Sequence, residues 1–183
     1  DKFFSQLYKY ILRKNFASHQ PMSTSIPISL VALGSYGREQ LCIYSDIDIL
    51  ILYENVQGYN LKKLMEEFIT LAWDCGLKLG SRVHELKEIS EAVKEDITIK
   101  SSILESRMIC GSKILWCEYG NVLTKIRKTN QKEFVLKKLE EHKQRLLKYP
   151  LKMQPNIKDG YGGIRESNMM YWMANILYGI TNT

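Results

Sequence analysis

Residues 34–53 read GSYGREQLCIYSDIDILILY. The end of this stretch, from Ile47 to Tyr53, is an apolar run that predicts a buried strand. Asp46 and Asp48 stand at the entrance of that strand, and side chains two residues apart on a strand share a face. Two carboxylates at such a short distance raise each other's pKa unless a cation compensates their charge. A divalent ion is the natural compensating group, because Mg²⁺ prefers oxygen ligands and shares its coordination with substrate phosphates.

A glycine-serine turn precedes the two aspartates. The run ISLVAL (residues 28–33) is short and partly β-branched, which predicts a strand, and Gly34 and Ser35 follow it directly. A strand that ends in Gly-Ser and enters a helix exposes backbone amides and a hydroxyl, and Gly37 and Arg38 extend this candidate phosphate cradle. Phosphate-binding and metal-binding groups on adjacent strand ends are what nucleotidyl transfer from a nucleoside triphosphate needs. The G-K-[ST] ending of a Walker loop and the G-x-G-x-x-G fingerprint are both missing.

The order of patterns along the chain predicts an α+β fold, with a small mixed sheet first and a helical extension second. Strands are predicted over residues 28–33, 47–53 and 77–83, and helices over 2–17, 61–75, 87–95, 98–110 and 133–148. Gly76 stands where a left-handed residue would end the second of these helices. We expect three regions: an N-terminal helix and linker (1–27), a catalytic core (28–95) and a helical domain (96–183).

Composition and charge narrow the choice of partner. The net charge of +6 lies entirely in the last third, where residues 121–183 carry 12 Lys and Arg against 5 Asp and Glu. This asymmetry suits either a basic face turned toward an anion or a solvated lysine-rich helix. Basic and aromatic residues do not interleave as in RNA-binding signatures, so nucleic acid is not the expected partner. No apolar run approaches the ~18 residues of a membrane span.

The four cysteines form no CxxC pair and lie far in sequence from the three histidines, which argues against a zinc site. We expect them to be buried free thiols, as in a protein of the reducing cytoplasm. The chain begins with Asp1 rather than Met and stops soon after a helical pattern, so we expect it to be a piece of a longer protein.

A second motif lies in the basic part of the chain. Residues 155–166 read PNIKDGYGGIRE, a stretch whose glycines predict an irregular loop that allows close backbone approach. The loop carries Lys158 and Arg165, and an apolar helical pattern follows it.

These motifs resemble the nucleotidyltransferase superfamily that includes polymerase β, whose mark is a Gly-Ser or Gly-Gly turn followed by Asp-x-Asp. More closely, GSYGREQLCIYSDIDILIL resembles the N-terminal domain of the bifunctional PII uridylyltransferase and uridylyl-removing enzyme family, where the motif reads like G-G-Y-G-R-G-E-L followed by S-D-I-D-L-L-I-L. The similarity continues through LAWDCGLKLG, ILESRMICG and MQPNIKDGYGGIRE, and covers about residues 30–178.

The resemblance implies the roles of the site residues. Asp46 and Asp48 would be the catalytic carboxylates and would bind Mg²⁺, with Mn²⁺ as the alternative ion. The triphosphate of UTP would be held by Gly34, Ser35, Gly37 and Arg38. Lys158 and Arg165 would close over the nucleotide, or would equally serve as a structural cap.

The resemblance also implies the reaction: UMP passes from UTP to a tyrosine of the PII nitrogen-signalling protein in the bacterial cytoplasm. The family's HD and ACT domains would lie beyond Thr183. Two other functions stay open, namely adenylyl transfer from ATP to a protein or small molecule, and a non-catalytic nucleotide-binding or docking module.

The predicted site has no well-placed third carboxylate. Many superfamily members carry one on the next strand, but here the region LKLGSRVHEL has Gly80 near that place. Asp74 and Glu85 are the nearest acids and are poorly placed for this task. The lone His84 is more often a structural residue than a catalytic base at such a position.

Overall fold

The computed structural model describes residues 1–16, 21–149 and 154–180, and the chain divides into two compact units, Asp1–Val122 and Leu123–Thr183. The strands of the described part are β1 (Ile28–Ala32), β2 (Ile47–Tyr53), β3 (Leu79–Glu85) and β4 (Arg107–Gly111). Its α-helices are α1 (Lys2–Asn15), α2 (Gly34–Gly37), α3 (Leu61–Asp74), α4 (Ile89–Glu95), α5 (Ile97–Ile103), α6 (Lys113–Lys128), α7 (Gln131–Lys148) and α8 (Ile164–Tyr178).

The four strands form one mixed sheet in the order β3-β2-β1-β4. β1 is antiparallel to both β2 and β4, whereas β2 and β3 run parallel to each other. Parallel strands need a crossover connection, and α3 supplies it between β2 and β3. The predicted α+β class with a small mixed sheet is confirmed.

The core of the first unit lies between the sheet and two helices. All five residues of β1 are buried, as expected of a central strand covered on both faces. Helices α1 and α3 pack on one face through an apolar stripe on each helix. The central members of this core cluster are Phe4, Tyr8, Ile11, Leu12, Leu30, Ile49, Ile51, Leu64 and Phe68.

Most predicted elements are present with small changes at their ends. β1, β2, β3, α1, α3 and α7 correspond to predicted segments, and Gly76 follows α3 with φ of +78° as expected of a left-handed residue. The N-terminus of α3 is capped by the Asn60 side chain, which accepts a hydrogen bond from the amide of Lys63.

The predicted helix over residues 98–110 was wrong in its second half. Helix α5 ends at Ile103, and Arg107–Gly111 forms β4 instead. The reason is tertiary: β1 needs a hydrogen-bonded neighbour on both sides, and β4 supplies the second one. The two compact units divide after Val122, and the three regions 1–27, 28–95 and 96–183 stay a prediction.

The cysteines also differ from expectation. Cys42, Cys75 and Cys117 are exposed free thiols and Cys110 is half-buried, so the prediction that all four are buried was wrong. No helix in the described ranges is both long enough and apolar enough to cross a membrane.

The second unit contains the end of α6, then α7, the loop at residues 154–163 and α8. The buried Asn175 of α8 accepts a hydrogen bond from Arg127 Nε at 3.0 Å. Gln131 Nε2 donates to the carbonyl oxygens of Arg127 and Ile176. These side-chain contacts tie α8 to the junction of α6 and α7.

Candidate active site

The glycine-serine turn and the second aspartate meet at the end of β1. Helix α2 is the turn itself and starts at Gly34, whose φ of +54° lies in the left-handed region that favours glycine. Asp48 is the second residue of β2, and its backbone carbonyl accepts a hydrogen bond from Leu33 at 2.9 Å. An ideal Cβ built on Gly34 would lie 3.5 Å from Asp48 Oδ2. The carboxylate of Asp48 therefore lies against the start of the turn.

The residue that faces Asp48 from the neighbouring strand is Gly80. The two residues are paired in the parallel register of β2 and β3. A Cβ on Gly80 would lie only 2.5 Å from Asp48 Oδ1, which is too close for any other side chain to share the space. Gly80 thus leaves room for the carboxylate and does not hold the place of a missing acid.

These groups line a cleft of about 410 Å³ in the first unit, here called the carboxylate cleft. Its walls come from the end of β1, the start of β2, β3 and the end of α5. The lining residues are Leu33, Gly34, Asp48, Ile49, Gly80, Ser81, Arg82 and Ser102. The cleft therefore presents one carboxylate, one guanidinium and two hydroxyl groups around the start of the turn.

Arg38 is held by a buried ion pair at the end of the turn. Its Nη1 lies 2.6 Å from Glu105 Oε1, and the two side chains are 12% and 2% exposed. Its Nε donates to Gln40 Oε1 at 3.1 Å. Two nitrogen atoms of the guanidinium, Nη1 and Nε, therefore already have protein partners.

Arg107 holds the same turn from β4. Its Nε donates to the carbonyl oxygen of Gly37 and its Nη2 to that of Tyr36, each at 3.3 Å. Its guanidinium also lies 5.6 Å from the centre of the Tyr36 ring. Burial raises the pKa of the Tyr36 phenol, and the charge of Arg107 opposes that rise. The carbonyl end of α2 is thus capped by a cation, the favourable sign for that end of a helix.

The carboxylates fit an open Mg²⁺ site better than a closed one. Asp46 is exposed immediately before β2, and Asp48 is exposed on β2. In the described part of the chain, no three His, Cys, Asp or Glu side chains come together as metal ligands. Glu85 pairs with Tyr53, five residues beyond Asp48 and roughly 16 Å along the strand. One or two carboxylates suffice for Mg²⁺, which completes its coordination with water and substrate phosphate.

His84 is the titratable group on β3 whose environment changes its acidity. Burial lowers the pKa of His84, the nearby charge of Arg82 lowers it further, and Glu88 acts in the opposite direction. The neutral imidazole is therefore favoured. His84 pairs with Leu52, four residues beyond the pair of Asp48 and Gly80, which separates it from the carboxylates.

The remaining predicted residues, Lys158 and Arg165, belong to the second unit. Lys158 is exposed on the loop, which has its own hydrogen bonds, and Arg165 is exposed in the first turn of α8. Asn156 Oδ1 accepts from the amides of Lys158 and Asp159, and Arg165 Nε lies 3.1 Å from Asp159 Oδ1. The loop is therefore organised before any ligand binds.

Several residues of this region were not found from the sequence. Ser81, Arg82 and Ser102 line the carboxylate cleft, and Glu105 and Arg107 hold the turn. Gly80 did give a signal, since a glycine inside a strand pattern indicates close approach by another group. The others lie on β3, on α5, in the turn between α5 and β4, and on β4, which only the folded sheet brings to this region.

The fold and the cleft, with a Gly-Ser turn beside Asp48, are those of a nucleotidyltransferase domain. Residues 10–147 match the family described as "Nucleotidyltransferase domain", so the chain belongs to this family of transferases. Residues 133–183 match the family described as "GlnD PII-uridylyltransferase". The resemblance found in the sequence is confirmed.

The similar curated proteins carry the name "Bifunctional uridylyltransferase/uridylyl-removing enzyme". The one from Pseudomonas entomophila (strain L48) is 37% identical over 158 residues, which is 85% of this chain and 18% of the relative. The one from Pseudomonas aeruginosa (strain LESB58) is 35% identical over the same length and coverage. The one from Pseudomonas fluorescens (strain SBW25) is 36% identical over 163 residues, 87% of this chain and 18% of the relative. The chain therefore spans 18% of the length of these relatives.

Proposed function

We propose that this chain transfers UMP from UTP, with Mg²⁺, to a tyrosine hydroxyl of a PII nitrogen-regulatory protein. The observation that carries the proposal is the close approach of Asp48 to Gly34, which joins a candidate metal carboxylate to a candidate phosphate-binding turn. The names of the similar relatives support the choice of UMP, and the match of residues 133–183 supports the choice of PII as acceptor.

In the proposed reaction the turn holds the triphosphate. The backbone amide of Gly34 and the hydroxyl of Ser35 donate to phosphate oxygens. The amide of Gly37 already donates to the carbonyl oxygen of Leu33, so this residue shapes the turn. Asp46 and Asp48 hold the divalent ion, which supplies charge stabilisation to the phosphates when it is bound. The tyrosine oxygen bonds to the α-phosphorus while the bond to the bridging oxygen breaks, and pyrophosphate leaves with that oxygen. The phenol proton is released to solvent.

The roles of Lys158 and Arg165 in nucleotide binding stay a prediction, as does a cytoplasmic location. Lys158 is exposed and has no ion-pair partner among the described residues, whereas Arg165 is paired with Asp159. Lys158→Ala is therefore the cleaner test: a weaker UTP affinity supports nucleotide binding, and an unchanged affinity supports the structural cap.

One observation favours a second candidate, a non-catalytic nucleotide-binding module. In the described ranges, no three acids, histidines or cysteines come together as possible metal ligands. A module of this kind would bind nucleotide but transfer nothing.

Labelling of a PII protein separates the candidates. The chain is incubated with PII, Mg²⁺ and either α-labelled UTP or α-labelled ATP, and nucleotide binding is measured by calorimetry in parallel. We expect transfer from UTP that is abolished by EDTA and reduced at least about 100-fold in Asp48→Asn and Asp46→Asn. Asp74→Asn, which changes an exposed acid at the end of α3, is the matched control. A strong preference for ATP would contradict the choice of UTP, and binding without labelling would support the second candidate.

A further inference from the structure

Arg38 and Arg82 both lie near the Gly-Ser turn, and the structure gives them different surroundings. Arg38, the predicted phosphate ligand, is paired with the buried Glu105. Moving its guanidinium toward a ligand would break this buried ion pair, which is strongly unfavourable. Arg38 is therefore suited to fixing the turn.

The turn itself is packed tightly against the segment that carries Glu105. An ideal Cβ on Gly37 would lie 1.9 Å from the backbone carbonyl oxygen of Glu105 and 3.0 Å from that of Ala32. Arg107 donates to the carbonyl oxygens of Tyr36 and Gly37 from the same segment. Residues 105–107 thus hold the back of the turn at three points, one of which is the ion pair with Arg38.

Arg82, unlike Arg38, is exposed and is not held by a buried carboxylate in the described structure. It lies on β3, and among the described residues it makes no ion pair. It shares a strand face with Gly80, which faces Asp48, and it lines the carboxylate cleft together with them. Because Gly80 has no side chain, the Asp48 carboxylate occupies the space above it and lines the same cleft as Arg82. A guanidinium in this position offers several donors to phosphate oxygens.

We infer that Arg82, and not Arg38, is the cation that contacts the phosphate chain of a nucleoside triphosphate bound in the carboxylate cleft, while Arg38 positions the turn through Glu105. This inference rests on the proposed function. Its ligand is the triphosphate group, so it applies whichever base the nucleotide carries.

Calorimetric binding of UTP in Mg²⁺ buffer tests the first half. We expect Arg82→Gln to weaken UTP binding about 10- to 100-fold, the usual effect of a lost charged hydrogen bond. Binding of uridine, which lacks phosphates, should not change, and neither should the melting temperature. The matched control is Arg13→Gln, which removes an exposed arginine of α1 and should leave UTP affinity within about twofold. An Arg82→Gln chain that binds UTP as the wild type does would overturn the inference.

The second half is tested with Arg38→Gln, Glu105→Gln and the double variant. If Arg38 positions the turn, both single variants should lose UTP affinity to a similar extent and should have lower melting temperatures. The double variant should then have a UTP affinity only slightly below that of the single variants. If Arg38→Gln weakens UTP but Glu105→Gln does not, Arg38 contacts phosphate directly and the inference fails. A wild-type chain that binds no nucleoside triphosphate would overturn the proposed function as well, whereas binding of ATP alone would overturn only the choice of UTP.

Discussion

Gly80 of β3 and Asp48 of β2 are paired neighbours in the sheet. An ideal Cβ built on Gly80 would lie 2.5 Å from Asp48 Oδ1. The contact involves the end of the Asp48 side chain and not its backbone, so a larger residue would displace the carboxylate more readily than the strand. The residue at position 80 therefore controls the orientation of the Asp48 carboxylate.

Gly80→Ala should reduce activity with little loss of stability. The new methyl group forces the Asp48 carboxylate to rotate, so we expect UMP transfer to fall about 10- to 100-fold, since small displacements of reacting groups have effects of this size. The free energy of unfolding should change by less than about 1 kcal/mol, because alanine also restricts the unfolded chain. Transfer rates and denaturant unfolding measure the two effects. Gly120→Ala, where a Cβ would meet nothing within 4 Å, is the control.

The ion pair of Arg38 and Glu105 should show strong energetic coupling. Glu105→Gln leaves the guanidinium without its buried counter-charge, and we expect the free energy of unfolding to fall by about 3 kcal/mol. Arg38→Gln should have a similar effect. The double variant should be more stable than the sum of the single effects predicts, by about 1–3 kcal/mol. Urea unfolding of all four chains gives the coupling, and strict additivity would show that the pair does not act as a unit.

His84 should titrate below the ordinary histidine pKa of about 6.5. Burial is the main cause, and the charge of Arg82 adds to it. Because the folded pKa is lower than the unfolded one, the unfolded chain takes up the proton first as pH falls. The neutral ring's contribution to stability is therefore complete above the unfolded pKa and is lost as pH falls through it toward the folded value.

NMR titration of the His84 ring checks this prediction. Arg82→Gln should raise the pKa of His84 but leave it below the ordinary value, because burial remains. Arg13→Gln should not move it. A His84 that titrates at or above the ordinary value would show that burial does not control this ring.

The conformation of the loop before α8 should depend on the side chain of Asn156. Asn156 Oδ1 accepts hydrogen bonds from the amides of Lys158 (3.0 Å) and Asp159 (2.8 Å). Asn156→Ala removes both, and we expect a loss of about 1 kcal/mol in the second unit, since these exposed amides regain water. Asn156→Asp keeps the acceptor oxygen and should restore most of the loss. Amide hydrogen exchange at residues 158 and 159 measures the effect, and equal protection in all three chains would contradict it.

The sequence allowed prediction of those parts of the fold that local patterns control. The apolar run of β2 and the stripe and glycine stop of α3 were predicted because period, capping and burial agree there. The segment of β4 was predicted as helix because a short apolar stretch is ambiguous on its own. Pairing with β1 decides its structure, and that contact depends on residues about 80 positions away in the chain.

The candidate site was predictable to a similar extent. Gly34 and Asp48 stand in one contiguous motif, so their proximity follows from two adjacent strands. The surroundings of Arg38 could not be predicted, because Glu105 reaches it from the turn between α5 and β4. The predicted task of Arg38 rested on its position beside a phosphate-binding turn, and the buried carboxylate opposite it has no local signal.

The attachment of the Gly-Ser turn to β4 has a consequence for folding. The hydrogen bond from Arg107 to Gly37 joins residues 70 positions apart, and the pairing of β1 with β4 spans a similar distance. Contacts of this sequence separation close slowly because a long loop must be ordered first. The sheet should therefore form before the site: during refolding, affinity for nucleotide should emerge after most secondary structure, when β4 has joined the edge of the sheet.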